Sequence, residues 1–197
     1  MIRYMKKNLL PKISRIISEL FNGFLTMILV PTIAFMVSDV NIFYKLLFPF
    51  LYGVITIAPF LILRKMGKIS DYEFTKREER PPYFTITTIG YLALFLLTTF
   101  LVKDTTLIHI TLAVFVSTCV LSIVTLYWKM SGHMTYSTLL FFSLIYLFPY
   151  TTFLPFMFLF TPLIAASRII LKKHTIMQTI VGTLVSATLS ILILWIL

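Results

Sequence analysis

With 197 residues, 59% of them apolar and only 12% charged, the chain is too hydrophobic for a water-soluble domain, which carries about a quarter charged residues. Its net charge of +10 therefore reads as membrane topology and anionic-lipid contact rather than nucleic-acid binding. A single cysteine, Cys119, in the middle of an apolar run excludes an intramolecular disulfide and a thiol metal site.

Residues 1–18 form a basic interfacial segment carrying Arg3, Lys6, Lys7, Lys12 and Arg15. The apolar run that follows is span-length and has no small-residue cleavage site, so it is expected to stay as a first span. The predicted spans are Leu20–Ser38, Phe43–Leu63, Tyr83–Val102, Leu107–Trp128, Thr135–Tyr150, Thr152–Ala166 and Thr175–Leu197. The fifth and sixth are short for a crossing, which leaves a bundle of six or seven transmembrane helices. Pro31, Pro49 and Pro59 fall inside spans, where neighbouring groups re-satisfy the backbone. With no long linker, repeat or low-complexity tract, residues 1–197 read as one all-α integral membrane domain. Its polar interruptions are the loops 64–82, 129–134 and 167–178.

These loops follow the second, fourth and sixth spans, and each pair of crossings returns the chain to one face. The N-terminus and all three loops then share a side, which holds every lysine and arginine except Lys45 and Lys103. Setting aside the basic residues from Lys76 onward, Arg3, Lys6, Lys7, Lys12, Arg15, Arg64, Lys65 and Lys68 still outnumber those two. The positive-inside rule assigns that face to the cytoplasm. Seven passes put the C-terminal tail on the opposite side.

Polar side chains clustered at a membrane boundary are functional by default. Residues 166–178 pack Arg168, Lys172, Lys173, His174 and Gln178 into about three helical turns. Lys76-Arg77-Glu78-Glu79-Arg80-Pro81 and Ser131-Gly132-His133 lie on the same predicted face. Arginine grips phosphate oxygens with a two-pronged fork, lysine acts as a compact charge, and two histidines in different surroundings can divide nucleophile and proton-transfer roles. Carboxylates are scarce and do not accompany the histidines, so a cationic pocket for an anionic headgroup is favoured over a divalent-metal site. Lys172 and Lys173 read as cations flanking a span, His109 as a hydrogen bonder inside the bundle, and Glu78 and Glu79 as ion-pair companions of Lys76, Arg77 and Arg80.

Ser167-Arg168, five residues, then His174 resembles the third motif of the type 2 phosphatidic acid phosphatase superfamily. Ser131-Gly132-His133 is similar to its second motif and Arg80-Pro81 to the end of its first, in the same order from about Asp71 to the C-terminus. The resemblance implies a metal- and cofactor-independent hydrolysis of lipid phosphates or diphosphates. In it His174 attacks phosphorus, His133 protonates the leaving oxygen and later activates water, and Arg80, Arg168, Ser131 and Gly132 hold the phosphoryl oxygens.

Three positions depart from the pattern. The first motif opens on a lysine where this chain has Glu73, and Lys76, four residues before Arg80, is a helical-turn substitute. Met130 stands where the second motif has proline. Gln178 replaces the aspartate that orients the nucleophile; an amide fixes the tautomer but carries no compensating charge. Glu78 or Glu79 is then a candidate source of the missing carboxylate. A second reading is a catalytically impaired homologue that binds anionic headgroups. A magnesium-dependent prenyl- or phosphotransferase ranks below both, because Asp39, Asp71 and Asp104 are isolated.

Overall fold

A computed structural model describes the backbone of residues 2–197 and the side chains from residue 9 onward. The side chains of Arg3, Lys6 and Lys7 in the basic segment lie outside the described residues. The fold is an all-α bundle, with no strand among the described residues. Its helices are α1 (Ile2–Leu20), α2 (Gly23–Val37), α3 (Ile42–Lys65), α4 (Arg80–Leu97), α5 (Thr105–Tyr127), α6 (Gly132–Leu147), α7 (Phe160–Ile170) and α8 (Ile176–Ile191). Short 3-10 turns precede α4 and α7, and wider π-type turns close α4 and α8.

Five helical runs have the length and apolarity of a membrane span: Leu9–Val37, Ile42–Lys65, Arg77–Val102, Thr105–Tyr127 and Ile176–Ile196. The two expected short spans stay short. α6 covers 16 residues, and the other begins as a 3-10 turn at Leu154–Leu159 before α7. α6 is short because it is the inner helix, with ten residues from His133 to Ser143 buried, so its polar Thr and Ser side chains face other helices instead of lipid.

The helix starts are set by side chains that cap orphan N–H groups. Asn22, Asn41, Asp104, Ser131 and Thr175 each accept a backbone hydrogen bond from the first turn of the helix that follows. Helices then join through buried hydroxyls. Tyr83 donates to the Thr56 carbonyl at 3.0 Å, tying α4 to α3, and Tyr136 lies 3.0 Å from Thr118, tying α6 to α5. Gly182 lets α8 close on α6: a Cβ there would lie 2.9 Å from the Ser131 carbonyl oxygen and 3.3 Å from Met134 Cβ. That approach carries the start of α8 beside the start of α6, where the Ser131 N–H reaches the Gln178 carbonyl at 3.2 Å.

The polar connections collect at one end of the bundle, as their parity in sequence requires. Lys129 donates to the Thr75 carbonyl at 2.7 Å, and Arg168 reaches Glu73 at 2.9 Å. At the other end, His109 meets Tyr146 at 3.0 Å, and Tyr146 packs edge-on to Trp195 near the C-terminus. His109 is thus the bundle hydrogen bonder expected of it. The tail ends opposite the polar cluster, as seven legs from α2 to α8 demand.

Candidate functional site

The stretch 166–178 is not a continuous helix. α7 stops at Ile170, and the chain reverses through a Schellman turn: Lys172 N–H bonds the Ile169 carbonyl at 2.9 Å and Lys173 N–H the Arg168 carbonyl at 2.9 Å. Lys172 takes the left-handed φ of 55° that glycine normally supplies at this position. α8 then begins with a reciprocal capping box, in which Gln178 N–H bonds Thr175 Oγ1 and Thr175 N–H bonds Gln178 Oε1. The result brings Arg168 and His174 together across the turn, with His174 N–H also directed at the Arg168 carbonyl at 3.3 Å.

His174, His133, Gly132, Arg80, Glu73 and Tyr72 line one cavity of about 40 Å³, with Phe24, Phe74, Tyr83 and Phe84 forming its apolar wall. His174 is 8% exposed. Its Nδ1 lies 3.1 Å from Gln178 Oε1. An amide oxygen only accepts, so the proton sits on Nδ1 and Nε2 keeps its lone pair. Burial, and then Arg80 and Arg168 nearby, push the imidazole down to about 2, so it stays neutral at any physiological pH.

Because that value lies below the ordinary 6.5, the unfolded chain takes up a proton that the folded chain refuses. Stability is full above about pH 6.5 and declines below it, by about 1.4 kcal/mol per pH unit for this one group. His174→Gln should flatten that decline, measured as detergent-phase thermal unfolding between pH 7 and 5. An equal acid slope in both proteins would assign the loss to other groups.

Arg168 is wholly buried at the end of α7. Its Nη1 donates to Glu73 Oε1 at 2.9 Å and to Ser18 Oγ, while its Nε is buried with no acceptor among the described residues. Glu73 also forms an ion pair with Lys173. Burial works to raise the Glu73 pKa, but the hydrogen bonds from Lys173 and Arg168 outweigh it and hold the carboxyl below its ordinary range. Arg80 donates from Nε to the Phe74 carbonyl at 3.1 Å and from Nη1 to the Met130 carbonyl at 2.8 Å, so it braces the first loop against the second. Lys129 follows at that second connection, with its pKa lowered to about 8 by burial and by Arg80 beside it.

Most of the expected constellation therefore meets, with several reassignments. Lys76 stands apart: its side chain is 67% exposed and pairs with Glu79 at 3.5 Å. The helical-turn argument fails there because residues 71–76 are a loop, and the 3-10 turn begins only at Arg77. Lys173, expected as a flanking cation, turns inward to Glu73 and donates to Thr75 Oγ1 at 2.7 Å. Ser131 caps α6 and does not line the cavity, whereas Gly132 does. The carboxylates offered as substitutes for the missing aspartate are engaged elsewhere: Glu79 accepts from Ser70, and Glu78 pairs with Arg77 at 3.6 Å. Arg80 bonds carbonyls instead of either glutamate.

Ser18 is a site residue that sequence reading missed. Its Oγ accepts from Arg168 and lies 3.5 Å from His133 Nε2, a weak contact at that length. The available signal is the pair Ser14 and Ser18, one helical turn apart on a basic, apolar helix and both buried. α1 runs antiparallel along α7. Phe21 packs on Phe160, Ser18 meets Arg168, and Arg15 and Leu171 border one cleft. Among the described residues, no three His, Cys, Asp or Glu side chains gather as a metal-ligand set. No family model matches the chain, and neither a curated protein nor a solved structure does.

Proposed function

We propose that the chain is a multi-pass membrane phosphatase that hydrolyses lipid phosphates or diphosphates without a metal, at a site on the cytoplasmic face. The observation that carries this reading is the cavity shared by two histidines and Arg80. One histidine is neutral, buried and tautomerically fixed with a free Nε2, beside the fully buried Arg168. Among the described residues the buried Arg168 Nε–H has no acceptor, which leaves the guanidinium a donor for a phosphoryl oxygen that displaces Glu73. Residence in the bilayer suits a substrate whose tail remains in lipid while its headgroup enters from the end of the bundle.

In the first step His174 Nε2 bonds to phosphorus and the phosphorus–oxygen bond to the lipid breaks; His133, held neutral by burial and by Arg168, takes up a proton with the anionic headgroup and gives it to the departing oxygen. Water then attacks the phosphohistidine and yields a proton to His133, which releases phosphate and restores both residues. Arg80, and Arg168 once it is free of Glu73, neutralise the charge on the equatorial oxygens. Gln178 holds the Nδ1 proton but adds no negative charge against the imidazolium that forms.

The test is phosphate release by purified protein in detergent from phosphatidate, lysophosphatidate, and prenyl mono- and diphosphates, with EDTA throughout. Release that persists in EDTA supports the reading; binding of a phosphate analogue without turnover supports the headgroup-binding reading, which Gln178 and Glu73 favour. Gln178→Asp is expected to raise the single-turnover rate about tenfold, because a carboxylate beside Nδ1 stabilises the imidazolium. An unchanged or lower rate would place the orienting group elsewhere.

A further inference from the structure

Arg168 does not line the cavity that His174 and His133 share; Glu73 does, and its carboxylate lies against the Arg168 guanidinium and the Lys173 ammonium. The residue that should meet a phosphoryl group is thus already capped by an anion. The loop that presents this anion is fixed. Asp71 Oδ1 accepts from Glu73 N–H at 2.9 Å and from Thr75 N–H at 3.3 Å. Phe74 holds a left-handed φ of 49° with its ring buried against Phe24, Phe60 and Tyr83.

We propose that Glu73 is a resident anion that filters ligands by charge, admitting dianionic phosphate monoester ends and excluding the monoanionic phosphodiesters that make up most of a bilayer. This rests on the phosphate-site reading above and adds to it what the site rejects. A phosphodiester brings the same single charge as the carboxylate and must give up translational freedom to bind. The tethered carboxylate gives up none, so the diester loses the exchange. A monoester end brings a second charge, which Arg80, Arg168 and Lys173 together reward. Such a filter rejects the wrong ligand by making it displace something, as distinct from improving the contacts of the right one.

The probes are α,α-difluorododecylphosphonate, a non-hydrolysable dianion at pH 7, and its monomethyl ester, a monoanion with the same tail. Binding of both is measured by calorimetry in detergent, so no turnover is needed. Wild-type protein should prefer the dianion about a hundredfold. In Glu73→Gln, which keeps an acceptor for Arg168, the monoanion should gain about tenfold more than the dianion, so that the preference falls to about tenfold. Should the Gln variant not fold, Glu73→Asp retracts the carboxylate by one methylene and should lower the preference about threefold. A preference unchanged in the folded variant overturns the filter and leaves the site standing. Failure of both probes to bind wild type or variant overturns the phosphate site itself.

Discussion

Alanine at position 174 is expected to abolish phosphate release from every lipid phosphate that the wild type cleaves, by at least about a thousandfold in kcat. The expectation follows from the atoms. His174 lines the cavity, and its Nε2 is the unprotonated nitrogen because Nδ1 is committed to Gln178 Oε1 at 3.1 Å. Removing the ring deletes the attacking atom, while Gln178 Oε1 still accepts from Thr175 N–H at 3.2 Å, so no buried acceptor is orphaned. The fold should therefore lose only about 1 kcal/mol, the net worth of one hydrogen bond. Since the imidazole in the folded chain is depressed to about 2, its neutral form persists through acid pH. Any acid limb in the wild-type rate profile then belongs to another group. Phosphohistidine trapped by an alkaline detergent quench, which spares its acid-labile P–N bond, in wild type and missing in His174→Ala would identify the nucleophile directly. Residual turnover within tenfold of wild type would remove His174 from that role.

The pieces of this site were legible in sequence to the extent that their spacing was local. Arg168 and His174 stand out because charge is costly in so apolar a chain, and the parity of the spans already puts them on the same end as His133 and Arg80. The turn between them was not legible. A helix stop normally advertises itself with glycine, and here Lys172 fills the left-handed position, so the sequence marks 167–178 as a loop without showing where α7 ends inside it. Ser18, Glu73 and Lys173 escaped for a different reason. Their importance lies in contacts across 95 and 150 residues, which no periodicity encodes. In sequence Glu73 reads as a missing cation, whereas in the structure it neutralises Arg168 and Lys173. The spacing of four between Lys76 and Arg80 misleads because it brings two side chains together only if the backbone between them is helical, and the 3-10 turn begins only at Arg77. The short span at α6 was ambiguous because its serines and threonines lower its apolarity, yet they are buried against neighbouring helices.

Arg168→Met is expected to lose both activity and stability, and the second loss can be separated from the first. Methionine keeps much of the buried volume but deletes the guanidinium from a position with no solvent exposure. Breaking a buried ion pair by removing one partner costs about 3–5 kcal/mol, since the other charge is left without compensation. Here Glu73 retains Lys173, whose side chain is 25% exposed, so the lower end of that range, about 3 kcal/mol, is expected. Removing one preorganised donor to the transferring group should lower kcat by about a hundredfold or more. The double variant Arg168→Met, Glu73→Leu removes both charges, and replacement of a whole buried pair by apolar groups is commonly neutral. It should recover most of the unfolding free energy measured in detergent while recovering none of the phosphate release. A double variant as unstable as the single one would show that Arg168 supports the fold through Ser18 and the end of α7, not through its charge on Glu73. Recovery of activity with the stability would mean that the guanidinium contacts no phosphoryl oxygen, and that the cationic work of the site falls to Arg80, Lys129 and Lys173.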